Sequence, residues 1–417
     1  MAEAARPPWL NRGRLTGYAT MAAITEIGLF AFCVAGAHGL IVPMDHQTTT
    51  DFVSFHAAGA LTAAGTPWLA YDRAAHEAAE TAAVGFASAY NYFYYPPVFL
   101  LICGLLARLP YLVAFVVFQA VSAVACFRAL RLIRPDLPLV LFLAFPGVWW
   151  AIGTGQNALL TAALFAAGTA WLGRRPWLAG LCLGALCYKP HVGLLIPVAL
   201  IAGGHWRAVA GAAAAVIGLC AASLLLFGVR TWEAFFHQAM TAGDVYSGHV
   251  FMGGMTSPYG VLMTLGAGRG VALPVQAVVT VVASVLVAIV WRRGAPMPVR
   301  AGLLLAATPV AVPVLMFYDL MLVFAALVWL TLVPSAPGVA ADPLGPAAAR
   351  SHPGPWRAWI MALIFLGALF SGNLGDEMRW MTAAISAALA FGLSVTLAWP
   401  SWVASGGREG RVAPGTA

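Results

Sequence analysis

Apolar residues in this chain come in blocks of membrane-crossing length, and this constrains the fold more than any other feature. Thr20–Val42, Tyr111–Phe127, Ala208–Phe227, Val271–Trp291, Met316–Val333 and Met378–Trp399 are such blocks; each approaches or exceeds the ~20 residues a helix needs to cross a bilayer. Shorter runs lie between them, at Leu137–Ile152, Leu159–Leu172 and Trp177–Tyr188. Runs of that size persist in membranes when packed against other helices, as re-entrant or broken elements. The pattern predicts an all-α polytopic membrane protein with about twelve crossings. Composition agrees, with 61% hydrophobic and only 9% charged residues, where a soluble domain holds roughly 45–50% and 25%.

The net charge of +7 does not indicate nucleic-acid binding. Nearly all of it is arginine in short loops, as a positive-inside signal requires, and no basic run is interleaved with aromatics for base stacking. The cysteines Cys33, Cys103, Cys126, Cys182, Cys187 and Cys220 lie within or beside apolar segments. None forms a Cys-x-x-Cys pair, so they read as core thiols and not as a disulfide frame or zinc site. The first apolar run follows Arg6, Arg12 and Arg14 and exceeds a signal-peptide core, so it reads as a first transmembrane helix with a cytoplasmic N-terminus.

Arginines at 128/131/134, 174/175, 207, 292/293/300 and 350/357 mark cytoplasmic turns. Acidic residues gather elsewhere: Asp45, Asp51, Asp72, Glu77 and Glu80 in one segment, Glu233 and Asp244 in another, Asp376–Glu377 in a third. The expected division is a cytoplasmic N-terminus (1–18), a transmembrane core (19–333) with outer loops 43–95 and 229–257, a cytoplasmic linker (334–357), C-terminal transmembrane helices (358–400) and a flexible tail (401–417). Residues 96–109 are apolar but too short for an untilted crossing and are expected to dip into the membrane.

The first outer loop carries structure of its own. Asp51–Ala64 has helix-compatible spacing after the threonines 48–50, Gly65–Thr66–Pro67 breaks it, and Ala74–Ala83 suits a second short helix. Two amphipathic helices on the outer membrane surface are expected here. An aromatic belt follows at Tyr90, Tyr92, Phe93, Tyr94 and Tyr95, rings that favour the headgroup level.

A few polar residues stand out against this background. Asp51 opens the outer loop's first helix, where a carboxylate serves as a helix cap or as a general base at the membrane–water boundary. Lys189 is the chain's single lysine, between two apolar runs; its ammonium suits a lipid-linked phosphate, or it snorkels to water. Gly153–Thr154–Gly155–Gln156–Asn157 interrupts two apolar runs, either to satisfy an irregular turn or to offer amides to sugar hydroxyls. It is neither a Walker A loop nor a dinucleotide fingerprint. Tyr318–Asp319 follows Pro309 and Pro313, prolines that free carbonyls and break a helix; the buried acid calls for a partner such as an arginine or Lys189. His46, Asp51 and His56 are spaced by five, which does not share a helix face, so no metal and no cofactor is expected.

Taken in order, Asp51-Phe-x-x-Phe, Gly65-Thr-Pro-Trp-Leu-Ala-Tyr71-Asp72 and Tyr94-Tyr95-Pro96-Pro97 resemble the first outer loop of glycosyltransferase family 87. Gly155-Gln156-Asn157, Arg174-Arg175-Pro176, Ala179-Gly180, Lys189-Pro190, His205-Trp206-Arg207, Thr308-Pro309 and Tyr318-Asp319 extend the resemblance over roughly residues 45–330. The family contains polyprenol-phosphate-mannose-dependent α-mannosyltransferases of the GT-C fold. The resemblance implies a GT-C bundle at the bacterial inner membrane and inverting transfer of a mannose-like hexose on the outer face. The donor would be a polyprenyl-phosphate sugar and the acceptor a glycan or glycolipid. It makes Asp51 the catalytic base and Lys189 the donor-phosphate ligand. Gln156, Asn157, Tyr94, Tyr95, His56, Tyr318 and Asp319 would complete donor and acceptor binding. A flippase or transporter of lipid-linked sugars would call for internal repeats and paired broken helices. A surface-polysaccharide ligase or polymerase would place its main acceptor loop late in the chain.

Overall fold

The computed structural model describes residues 12–36, 50–86, 90–248, 254–333, 355–370 and 381–406. Asp45, His46, Asp376, Glu377 and most of the expected linker lie outside them. Among the described residues the chain is helical, with one isolated bridge, Met255–Met316, as its only extended pairing.

The elements run α1 (Arg12–Gly36), α2 (Phe52–Ala63), α3 (Arg73–Val84), α4 (Pro97–Leu106), α5 (Tyr111–Ile133), α6 (Leu139–Leu143), α7 (Pro146–Gly153), α8 (Ala158–Trp171) and α9 (Pro176–Ala185). They continue as α10 (Ile196–Ala202), α11 (Trp206–Phe227), α12 (Val229–Gly248), α13 (Pro258–Thr264), α14 (Arg269–Arg292), α15 (Met297–Ala311), α16 (Met321–Leu330), α17 (Pro355–Leu369) and α18 (Thr382–Gly406). Prolines open several of them, as at Pro97, Pro146, Pro176 and Pro258. A proline at the first helical position gives up an N–H that would have had no partner there.

Among the described residues three helices are long and apolar enough to cross a membrane: α5, α11 and α14, with mean hydropathies of 2.0, 2.3 and 2.5. The other apolar stretches found among the described residues run to 10–17 residues, Thr382–Ala398 of α18 included. The chain is therefore a helical membrane protein, and the twelve expected crossings are not reached at that standard among the described residues. The reason is visible in the breaks. Leu137–Ile152 folds as α6 and α7, interrupted at Ala144–Phe145 before Pro146, and the apolar run from residue 96 yields only the ten residues of α4. Residues 229–248, expected as a loop, form the twenty-residue α12.

Two units divide the chain, one of Thr16–Gly193 with Ala210–Phe251, the other of Met1–Leu15, Leu194–Val209 and Met252–Ala417. In the first, α2 packs against α3, α4, α5 and the 3-10 turn Pro67–Tyr71, α5 against α8, and α8 against α9. Helix α2 is not the amphipathic surface helix expected from sequence. Phe52 through Gly59 are all buried, because its two aromatic faces meet different partners. Phe52 lies against Tyr111, Phe115 and Phe118 of α5, and Phe55 against Tyr95 and Phe99. On a third side Gly59 lets the Cys103 carbonyl approach so closely that a Cβ would collide with it. Helix α3 forms where a second short helix was expected, but its buried residues are polar. His76 and Glu80 are buried one turn apart, while Arg73 and Glu77 pair at 3.9 Å on the exposed side.

In the second unit α15 runs through Pro309 and ends at Ala311, because Val312, the residue before Pro313, is extended. Carbonyls at this end are met by side chains. Thr256 Oγ1 donates to Pro309 O at 2.8 Å and Ser257 Oγ to Pro313 O at 2.6 Å. Gln276 Nε2 reaches Val310 O and Ala311 O, both at 3.1 Å, and Thr280 Oγ1 reaches Ala311 O at 2.6 Å. In an apolar setting each unmet carbonyl would cost on the order of 1–3 kcal/mol, so these four side chains make the break tolerable.

Candidate functional site

Asp51 stands one residue before α2, and its carboxylate is not a helix cap: it makes no hydrogen bond to the first turn of that helix. Its Oδ2 instead accepts from Gln156 Nε2 at 2.8 Å. Two features bring these distant residues together. The Asp51 backbone N–H donates to Thr154 O at 2.9 Å, and Gly155 adopts φ +70 with its Cα against Phe52 and Thr50. A Cβ at Gly155 would sit 2.7 Å from Phe52 Cβ and 2.8 Å from Thr50 Oγ1. The glycine-rich break is thus a docking turn for the start of α2.

From Gln156 the network continues. Its Oε1 accepts from Tyr95 OH at 3.1 Å, its backbone O accepts from Gln119 Nε2 at 3.1 Å, and Tyr95 O accepts from Tyr71 OH at 3.0 Å. Thr50 Oγ1 lies 3.1 Å from Tyr111 OH. Burial raises the Asp51 carboxyl above its ordinary range, and the Gln156 N–H pulls it part of the way back.

Asn157 is completely buried at the start of α8, and neither its Oδ1 nor its Nδ2 has a hydrogen-bond partner among the described residues. Buried polar groups are nearly always satisfied, so this amide is marked as a place for an external hydrogen-bonding group. One turn on, Thr161 Oγ1 bonds Tyr188 OH at 2.7 Å, and the Tyr188 ring stacks on Phe99 at 5.1 Å. Lys189 follows at the end of the 3-10 turn Leu186–Tyr188, with 4% of its surface exposed. That degree of burial argues against the snorkelling reading, which needs the ammonium in water.

The other sequence-selected residues divide. His56 Nε2–H donates to Leu109 O at 3.0 Å, and the ring lies edge-on to Tyr111, a tie between α2 and the turn before α5. Tyr92 and Tyr94 stack at 5.3 Å, Tyr90 meets Tyr92 at 4.4 Å, and Arg73 lies 5.5 Å over the Tyr90 ring. The alternation explains the belt: Phe93 and Tyr95 turn inward to Phe99, while Tyr90, Tyr92 and Tyr94 share the opposite side. Tyr318 and Asp319 belong to the other unit. There Asp319 Oδ2 receives the Met316 N–H at 3.5 Å, capping the turn Phe317–Leu320.

Sequence reasoning passed over Gln119 and the pair His76–Glu80. Gln119 was findable as an amide inside the apolar run of α5. His76 Nε2 meets Ser54 O at 3.0 Å, His76 Nδ1 faces Glu80 Oε1 at 3.7 Å, and Glu80 Oε2 accepts the Asn91 N–H at 3.1 Å. Burial dominates both: it lifts the Glu80 carboxyl to about 8, further raised by Glu77 and Asp51, and lowers the His76 imidazole to about 4. Among the described residues no group of three or more His, Cys, Asp or Glu is arranged to hold a metal ion.

Comparison with known proteins gives one match. The model of glycosyltransferase family 87 aligns with residues 93–317, more than half of the chain, from the aromatic belt to the turn that Asp319 caps. No curated protein and no solved structure matches.

Proposed function

This chain belongs to glycosyltransferase family 87 and is a membrane glycosyltransferase, and from that premise we propose that Asp51 is the base in sugar transfer from a polyprenyl-phosphate donor. The observation that carries the reading is the Asp51 carboxylate itself. It is held at 2.8 Å by the Gln156 amide and is not spent on capping, and the residue after Gln156 is Asn157, whose buried amide has no hydrogen-bond partner among the described residues.

The chemistry follows from these groups. The acceptor hydroxyl gives its proton to Asp51 as its oxygen forms a bond to the anomeric carbon. The bond from that carbon to the phosphate oxygen breaks on the opposite face, and its electron pair leaves with polyprenyl phosphate. Configuration at the anomeric carbon is inverted. The Lys189 ammonium balances the charge that grows on the departing phosphate, and Asn157 offers both a donor and an acceptor to sugar hydroxyls. Polyprenyl phosphate is a good leaving group, so no second acid is required.

A donor confined to lipid also accounts for a chain that is nearly all apolar helix. The hexose is mannose-like, the acceptor a glycan or glycolipid, and the site faces outward from a bacterial inner membrane with the N-terminus cytoplasmic. The arginine-bearing turns support that orientation. The deciding experiment offers purified protein a panel of radiolabelled polyprenyl-phosphate hexoses and the corresponding nucleotide sugars. Transfer from the lipid donors alone, with inverted configuration in the product, is expected; transfer from nucleotide sugars alone would overturn the donor assignment.

A further inference from the structure

A single amide stands between the Asp51 carboxylate and the Tyr95 phenol. An amide side chain has a donor end and an acceptor end, and in Gln156 each has one partner: Nε2 donates to Asp51 Oδ2 at 2.8 Å and Oε1 accepts from Tyr95 OH at 3.1 Å. Reversing the amide would turn its oxygen lone pairs toward an ionised carboxylate and lose the phenol's donation. Tyr95 is itself held in place. Its carbonyl receives the Tyr71 hydroxyl at 3.0 Å, and its ring packs 5.2 Å from Phe55 and 4.8 Å from Phe99. Gln156 is anchored from the other side by Gln119 Nε2, 3.1 Å from its backbone oxygen.

We infer that Tyr95 and Gln156 are positioning residues for Asp51: the phenol sets the amide, the amide holds Oδ2, and Oδ1 is left to take the acceptor's proton. The inference deepens the reading of Asp51 as base and rests on it. It reassigns both residues from sugar binding: Gln156 contacts the base, and Tyr95 acts on it through Gln156. The hydrogen bond is made to the charged form of the carboxyl, so it favours ionisation against the effect of burial. Without it, a smaller fraction of the base is ready at neutral pH.

Infrared titration of the carboxyl band tests this on the full-length protein in lipid nanodiscs, the Asp51 band being identified by its loss in Asp51→Asn. In Gln156→Leu the midpoint is expected to rise by about one pH unit. In Tyr95→Phe, which keeps the ring and its packing, it is expected to rise by less. Where transfer from radiolabelled polyprenyl-phosphate mannose is measured, the acid limb of the rate profile moves with the midpoint. A role in packing alone would leave the midpoint where it is. An unchanged midpoint in Gln156→Leu overturns the inference, and an unchanged midpoint in Tyr95→Phe does so if the leucine variant does not fold. Full transfer by Asp51→Asn would instead remove the base assignment, whatever the midpoints show.

Discussion

The backbone N–H of Asp51 donates to the carbonyl of Thr154 across 2.9 Å, joining the start of α2 to the turn between α7 and α8. This main-chain bond fixes the carboxylate's origin, and the neighbouring Gln156 amide fixes its direction. The tightness of the contact depends on the residue between them, Gly155.

Gly155→Ala is therefore expected to disturb the site at its base. The position has φ +70, and the added methyl would meet Phe52 Cβ at 2.7 Å and Thr50 Oγ1 at 2.8 Å. A left-handed alanine with such a contact costs about 1–3 kcal/mol. Thermal unfolding in nanodiscs should show a lowered midpoint, and transfer should fall with it. An unchanged midpoint would mean that the turn does not dock as described.

Lys189→Ala is expected to act mainly on the donor. Loss of one charge-assisted hydrogen bond of roughly 1.5–3 kcal/mol corresponds to a KM for the polyprenyl-phosphate sugar raised by about ten- to a hundredfold. Initial rates across donor concentrations check it. A normal KM for the donor would remove Lys189 from phosphate binding.

The His76–Glu80 pair predicts a particular dependence of stability on pH. Glu80 titrates at about 8 in the folded protein against 4.5 ordinarily. Its contribution is complete below 4.5 and is lost as pH rises through 8. His76 titrates at about 4 against 6.5, so its contribution is complete above 6.5 and is lost as pH falls through 4. The two slopes oppose one another between about 4.5 and 6.5 and leave Glu80 alone above that, with a limiting slope of roughly 1.4 kcal/mol per pH unit. Thermal midpoints should decline from about pH 6.5 to 8 in the wild type, and Glu80→Gln should flatten that decline. An equal decline in the variant would contradict the assignment.

Gln276→Leu tests the broken end of α15. Its amide serves the carbonyls of Val310 and Ala311 and also accepts the Tyr259 N–H at 3.1 Å. Leucine fills similar space but leaves the Val310 carbonyl and the Tyr259 N–H unmet, which costs on the order of 1–3 kcal/mol each when buried, while the Ala311 carbonyl keeps its bond from Thr280. A clear drop in the thermal midpoint is expected, and a neutral result would show that other groups satisfy the break.

The sequence displayed the helical membrane class directly, because apolar blocks of crossing length admit few other solutions. It also displayed the end of α15, where Pro313 keeps Val312 out of the helical conformation. Other features depend on contacts between distant segments and were not legible. Asp51 stood out as an acid at a helix start, which equally describes a cap. The missing cap bond and the meeting with Gln156, 105 residues away, appear only in the fold. Helix α2 read as amphipathic because Ser54 and His56 interrupt its apolar residues, yet Ser54 and His56 are enclosed by α3 and the turn before α5. Helix α12 read as part of an outer loop because Glu233 and Asp244 fall within it. Its Phe235 and Arg230 nevertheless pack on Tyr71 and Trp68 of the 3-10 turn.

Asp51→Asn is the substitution that addresses the central claim most directly, since asparagine keeps the size and the start of α2 but does not accept a proton as a carboxylate does. The measurement is transfer of radiolabelled sugar from polyprenyl-phosphate donors into membrane extracts by wild type and variant, alongside thermal unfolding of both. The account predicts a folded variant whose transfer is lost by a factor of about 100 or more. Transfer persisting near the wild-type rate in a folded variant would contradict it and return Asp51 to a structural role.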